Sequence, residues 1–309
     1  MSPVAAIDCG TNTIKLLIGT LPEVAVRPSR MVRLGEGVDA TGRLAPQALT
    51  RAFAAIDEFA VLIREHGVGR IRFCATSATR DAQNAAEFTA GVEQRLGVRP
   101  EVLSGTEEAE LAFAGATREV GPLPAPVLVV DIGGGSTELI LGAPGTAPEA
   151  SYSMDIGSVR LHERLLGADP ATPEQVDACV AAIDAAVDEA AAHGADPARA
   201  GSVIGVAGTI TTLAAGALRL PAYDREAIHG SVLSVVDLER QAQELVAMTV
   251  AERLALGWMH PGRADVVDAG ALILSRVLRR VPVPAITVAE TDILDGIAWS
   301  LTGAPTDEV

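Results

Sequence analysis

VVDIGGGSTELI, residues 129–140, runs two valines into an aspartate and three glycines, then resumes as strand-like sequence around a glutamate. The apolar residues on either side read as strand, tight turn, strand. Glycines in the turn allow positive φ and let backbone N–H groups approach a bound group closely. With the Ser and Thr hydroxyls they make a concave set of donors suited to phosphate. An Asp at the strand end, beside such a loop, is a natural place to hold Mg2+ directly or through water. Taken alone, the segment would be a plain β-hairpin with a glycine-rich turn.

It is not alone. IDCGTNTIKLLIG (7–19) overlays VDIGGGSTELILG (130–142) without a gap. Asp8 falls on Asp131, Gly10 on Gly133, Thr13 on Ser136, Gly19 on Gly142, and Leu16, Leu17 and Ile18 fall on Leu139, Ile140 and Leu141. Lys15 falls on Glu138, so the repeat swaps a charge at one position. Two copies spaced by about one domain length favour a duplicated phosphate loop over two chance hairpins.

The 309 residues suggest two domains, and 49% apolar with 21% charged residues places the chain in the globular class. A net charge of −16 and the lack of a basic stripe with interleaved aromatics argue against a nucleic-acid partner. Lys15 is the only lysine. Cys9, Cys74 and Cys179 are widely spaced and read as core residues of a reducing compartment. The five histidines show no metal-ligand spacing. No signal peptide is evident, and AGSVIGVAGTITTLAAGAL (200–218) is too rich in Gly, Ser and Thr for a membrane span. A cytoplasmic protein without membrane association is expected.

Periodicity predicts helices over 47–65 and 81–96, with Asp81 as N-cap, and a helix from Thr106 as N-cap. Further helices are expected at 157–167, 173–192, 209–219, 237–248 and 264–280, and strands at 71–75, 98–103, 151–156, 202–206 and 285–289. REVGPLPAP (118–126), with its prolines, is the expected linker. The domains are then 1–120 and 121–290, with a last helix over 291–303 returning to the first domain. Alternating strands and helices give an α/β fold.

Together the two loops, ATSATRDAQN (75–84), VLSGTEEAELAFAGA (102–116), MDIGSVRL (154–161), GVAGTITTLAA (205–215) and HPGRADVVDAGALIL (260–274) resemble, in order, the exopolyphosphatase / guanosine pentaphosphate phosphohydrolase family of the actin-like ATPase superfamily. The chain resembles a short, two-domain form, without the C-terminal His-Asp-type domain of many members. Lys15 stands where many members have Arg, and Lys lacks the bidentate fork that grips phosphate.

The resemblance implies two actin-like (ribonuclease H-like) domains with the active site in the cleft between them. It implies hydrolysis of a terminal phosphoryl group of inorganic polyphosphate or guanosine pentaphosphate, Mg2+ or Mn2+ as cofactor, and a homodimer. It points to Glu108, the second Glu of the EEA motif, as general base; by position alone Glu107 and Glu108 are both ordinary helix-start acids. Asp131 and Glu138 are the expected metal ligands, with Asp8 contributing through water or capping its own loop. Thr11, Asn12 and Thr13 are expected to bind phosphate from one domain, and Gly133, Gly134, Gly135 and Ser136 from the other. Arg80, Lys15 and Arg263 are candidate phosphate cations or ordinary surface residues. Gly208 and Thr209 form a third small-residue turn, an anion site or simply close strand–helix packing. A sugar or acetate kinase would need a nucleoside pocket and a co-substrate site. A non-catalytic polyphosphate or alarmone sensor would keep the glycine loops and could dispense with Glu108, Asp131 and Glu138. His162, His229 and His260 lack a nucleophile partner pattern.

Overall fold

The computed structural model describes residues 2–302, which divide into two compact units, one of residues up to Ser104 together with those from Ile293, the other Gly105–Asp292. Gly303, the last residue of the expected C-terminal helix, lies outside the described residues.

The first unit is built on β1 (Val4–Cys9), β2 (Thr13–Thr20), β3 (Glu23–Val26), β4 (Ser29–Met31), α1 (Val38–Thr41), α2 (Pro46–Glu65), β5 (Arg70–Ala75), α3 (Ser77–Asp81), α4 (Ala85–Leu96) and β6 (Glu101–Val102). Its sheet runs β3-β2-β1-β5-β6, with β4 also on β2. Every residue of β1 is buried, because the strand is hydrogen-bonded on both sides, antiparallel to β2 and parallel to β5. This explains a continuous apolar run in place of alternation. The core gathers Ile7, Leu16, Phe59, Phe73 and Phe88, each worth about 1.5–3 kcal/mol on burial.

The second unit contains α5 (Gly105–Arg118), β7 (Val127–Ile132), β8 (Thr137–Gly142), β9 (Ala150–Met154), α6 (Ser158–Leu165), α7 (Pro173–Ala192), β10 (Ser202–Val206), α8 (Ala207–Ala217), α9 (Arg225–Ile228), β11 (Ser231–Ser234), α10 (Val235–Ala247), α11 (Val250–Leu254), α12 (Val267–Leu278) and β12 (Ala285–Val288). The sheet order is β11-β12-β10-β7-β8-β9. From the three-stranded antiparallel meander into two parallel strands, β9-β8-β7-β10-β12 repeats β3-β2-β1-β5-β6. The duplication seen in one hairpin therefore extends to five strands of each sheet, giving two α/β units of matching topology.

Helix α13 (Ile293–Ser300) packs on β1 and β2 of the first unit, tied by Arg27 to Asp295, where both guanidinium nitrogens donate at 2.6 Å. The unit boundary falls at Ser104/Gly105, earlier than the 120/121 division expected from the prolines. The reason is α5, whose apolar face of Ala109, Ala112, Phe113 and Ala116 packs on β8 and β9. The segment 118–126 is irregular, as its prolines require, but it connects α5 to β7 inside the second unit.

Other expectations shift locally. Asp81 closes the short helix α3 instead of opening α4; Asn84 takes the N-cap position, with its amide turned to Leu44. Helix α5 already starts at Gly105, so Thr106 is its second residue. Strand β6 covers only Glu101–Val102 of the expected 98–103. By contrast α7 begins at Pro173, because Thr172 and Gln175 form a reciprocal capping box just before and inside it. The three cysteines are buried and, among the described residues, form no disulfide. Among the described residues no helix is long and apolar enough to cross a membrane.

Candidate functional site

Both hairpins close in the same way. Gly10 N–H donates to the Thr13 carbonyl at 2.9 Å, and Gly133 N–H to the Ser136 carbonyl at 3.0 Å. Strand pairing then sets Asp8 opposite Lys15 and Asp131 opposite Glu138. The sequence overlay is thus a structural register, and the charge swap is a cross-strand event. In the first hairpin Lys15 Nζ lies 3.5 Å from the Asp8 carboxylate. In the second, two carboxylates face each other, both buried.

Glu138 meets a third. Burial, Glu108 and Asp131, in that order, raise its pKa well above the usual carboxylate range, and hydrogen bonds from Ser153 and Ser136 pull it back. Ser153 Oγ donates to Glu138 Oε1 at 2.8 Å from the facing position on β9. Glu108 belongs to this group because its helix turns it inward: it lies on the buried face with Ala109, Ala112 and Phe113, while Glu107 is exposed. That distinction, invisible from position in the EEA motif, follows from the packing of α5.

The glycine loop is held from behind by the start of α6. Ser158 N–H donates to Gly133 O at 3.0 Å, Val159 and Arg160 N–H to Gly134 O at 2.9 and 3.1 Å, and Arg160 Nε to Gly135 O at 2.7 Å. In a trans peptide the carbonyl and the next N–H point in opposite directions. Tying these three carbonyls to α6 therefore turns the amides of Gly134, Gly135 and Ser136 to the other side. This is the donor array a phosphate needs. Gly157 is obligatory here, since a Cβ on it would lie 2.5 Å from the Gly134 carbonyl carbon.

In the first unit Val32 and Arg33 N–H hold the Asn12 carbonyl and Gly35 N–H holds that of Thr11. Thr11 Oγ1 meets Ser77 Oγ at 2.9 Å, and the buried Asn12 Oδ1 has no partner among the described residues. Arg80, at the end of α3, donates Nη1 to Leu103 O at 2.8 Å.

Gly208 and Thr209 open α8 behind Ala207, which adopts φ 65°, a left-handed conformation costly for a residue with a Cβ. A side chain on Gly208 would collide with the Arg263 guanidinium, which lies directly on this turn. Among the described residues that guanidinium makes no ion pair or hydrogen bond; burial lowers its pKa, while Tyr223, Glu290 and Asp292 favour its charge. Tyr223 in turn hydrogen-bonds Thr211 and Glu290.

Ser153, Gly157, Ser158 and Arg160 join the site only through the fold, although the last three lie within MDIGSVRL. The one local sequence signal, for the last three, is a glycine followed by Ser, two strands after the loop.

The carboxylate set suits a hard dication. Among the described residues no three acidic, His or Cys side chains converge as a ready-made metal cage. Mg2+ keeps several waters and needs only one or two protein carboxylates. A cation beside Glu138 would also relieve the repulsion that raises its pKa.

A model of the Ppx/GppA phosphatase family matches residues 18–303. Exopolyphosphatase 2 of Mycobacterium tuberculosis is 46% identical, over 98% of this chain and 99% of its own. A solved exopolyphosphatase-like protein superposes with a TM-score of 0.94 at 47% identity, covering 97% of this chain and 98% of that one. An exopolyphosphatase from Cytophaga hutchinsonii gives 0.88 at 30% identity, covering 97% of each.

Proposed function

Because the chain belongs to the Ppx/GppA phosphatase family, we propose that it is an exopolyphosphatase, releasing orthophosphate processively from the end of inorganic polyphosphate. The observation that carries this reading is the juxtaposition of a phosphate-shaped loop with Glu138, whose carboxylate is opposed by those of Glu108 and Asp131.

In this reading the amides of Gly134, Gly135 and Ser136, with the Ser136 hydroxyl, bind the phosphoryl oxygens. Glu108 accepts a proton from a water whose oxygen bonds to the terminal phosphorus. The bridging P–O bond breaks, and the shortened chain leaves with the electron pair of that bond. Little covalent chemistry is asked of the protein; placement and charge compensation do most of the work. Asp131 and Glu138 would hold Mg2+, or Mn2+ in its place, with Asp8 a weaker contributor because Lys15 already balances its charge. When bound, the ion neutralises charge developing on the phosphoryl and leaving oxygens.

Thr11, Asn12, Thr13, Lys15 and Arg80 serve as further phosphate contacts. Arg263 with Gly208 and Thr209 forms another: a desolvated guanidinium on a helix N-terminus sets two positive features together, and an anion satisfies both. The same reading carries a homodimer working in the cytoplasm, open to test by sedimentation velocity and cell fractionation.

The deciding assay is phosphate release from polyphosphate with Mg2+, comparing wild type with Glu108→Ala, and with guanosine pentaphosphate and ATP alongside. The proposal expects release on polyphosphate and a loss of about 10²–10⁴-fold in the variant with the fold intact. Turnover of guanosine pentaphosphate alone would move the function to alarmone hydrolysis. Binding without turnover of any substrate would make the protein a sensor.

A further inference from the structure

We infer that His162, braced by Asp268 and Arg253, is a positioning residue for the glycine loop of the second unit, and that its charge sets how tightly that loop binds phosphate. The inference rests on reading residues 133–136 as the phosphate loop.

Helix α6 donates the hydrogen bonds that orient the loop, yet it has only eight residues, too few to hold its own position. One turn beyond Ser158, His162 Nδ1 lies 3.2 Å from Asp268 Oδ1 on α12. Asp268 is buried, and its other oxygen accepts from Arg253 Nη2 at 3.2 Å. Arg253, 1% exposed, also donates to Leu245 O at 2.8 Å and Ala264 O at 3.0 Å. One side of the carboxylate is therefore gripped by a permanently charged, immobile group. The other side meets an imidazole, the side chain whose charge ordinarily changes nearest neutral pH. Helix α12 also places Gly270 against the Thr209 side chain, where any Cβ would clash, so the same helix backs the turn at 208–209. A tether from α6 to α12 thus fixes the loop relative to a second anion-binding turn of its own unit.

The charged groups around the ring are Asp268 and Asp265 from α12 and the segment before it, and Arg253 from α11. Arg160, Glu163 and Arg164 lie on α6 itself. Helix α7 also packs on α6 and carries Glu174, Asp177, Asp184, Asp188 and Glu189, of which Asp184 and Asp188 pair with Arg276 and Arg280. The Asp268 hydrogen bond leads in raising the His162 pKa, Asp265 adds to it, and burial and Arg253 oppose. A raised folded pKa means that the charged tether is complete at low pH and is lost as pH rises through that value. By linkage, phosphate bound to the loop must favour the protonated ring as much as the protonated ring favours phosphate.

The test measures KM and kcat for polyphosphate from pH 6 to 9 in wild type and His162→Gln, whose amide can still donate to Asp268 but never charges. In parallel, the His162 ring is titrated by NMR with and without polyphosphate. We expect the variant to raise KM roughly fivefold or more at pH 6, with the two proteins converging at pH 9 and kcat little changed. The ring's midpoint should rise when polyphosphate binds. A KM ratio independent of pH, or an unmoved midpoint on saturation, would overturn the inference. If wild type binds polyphosphate without hydrolysing it, the hydrolase reading falls, while the midpoint shift still decides the role of His162.

Discussion

Across β1 and β2 the residue facing Asp8 is Lys15, and the two form an ion pair. Across β7 and β8 the residue facing Asp131 is Glu138, with Glu108 close enough to add to the repulsion. The backbones match down to the Gly–Thr and Gly–Ser closing hydrogen bonds. Burying carboxylates side by side is expensive for a hairpin that has only to fold. The first hairpin carries a cross-strand ion pair; in the second, burial and the neighbouring carboxylates push Glu138 toward its protonated form, which a bound cation would relieve. In the proposed reading that difference gives the first unit phosphate contacts and the second unit the chemistry.

Making the second hairpin resemble the first is the most damaging change. Glu138→Lys should leave the protein folded, with an Asp131–Lys pair in the manner of Asp8–Lys15, while kcat falls by about 10⁴. A folded and active variant would erase the distinction between the hairpins. Gly157→Ala pushes a methyl into Gly134 without touching any charge. It should cost about 1–3 kcal/mol in stability and raise KM, read by denaturant unfolding and steady-state rates. In the reciprocal direction, Lys15→Met removes the partner of a buried Asp8. It should cost about 1–2 kcal/mol and, with a proposed phosphate contact also lost, raise KM while leaving kcat within a few-fold of wild type.

The smallest effect concerns pH. The folded pKa of Glu138 lies above its unfolded value, so its contribution to stability is full below the unfolded value and is lost as pH rises through the folded one. Wild type without Mg2+ should therefore lose Tm over that rise and regain it on adding Mg2+. Ser153→Ala should steepen the loss, because its hydrogen bond favours the ionised form.

What was legible in the sequence was local. Strand, turn and strand, and the equivalence of 7–19 with 130–142, were readable from the spacing of Asp, Gly and apolar residues; that Asp8 faces Lys15 and Asp131 faces Glu138 came from the strand pairing. Helix α7 was legible to the residue because its capping box is contiguous. The unit boundary was not, because it depends on which sheet covers the apolar face of α5, and prolines at 122, 124 and 126 carry no information about that. Choosing Glu108 over Glu107 by physical argument needed the same packing. Ser153 and the donors of α6 reach the site across strands or from a later helix, and apart from the Gly157-Ser158 pair no short-range pattern marks them.

The most direct test of the central claim is a Mg2+ titration of phosphate release from polyphosphate, run on wild type and Glu138→Lys at equal folded concentration. The account predicts a saturable Mg2+ activation in wild type and, in the variant, a residual rate that Mg2+ no longer raises. A variant that keeps the wild-type rate and the same Mg2+ midpoint would contradict it, and would leave the buried carboxylates of the second hairpin without the role assigned to them.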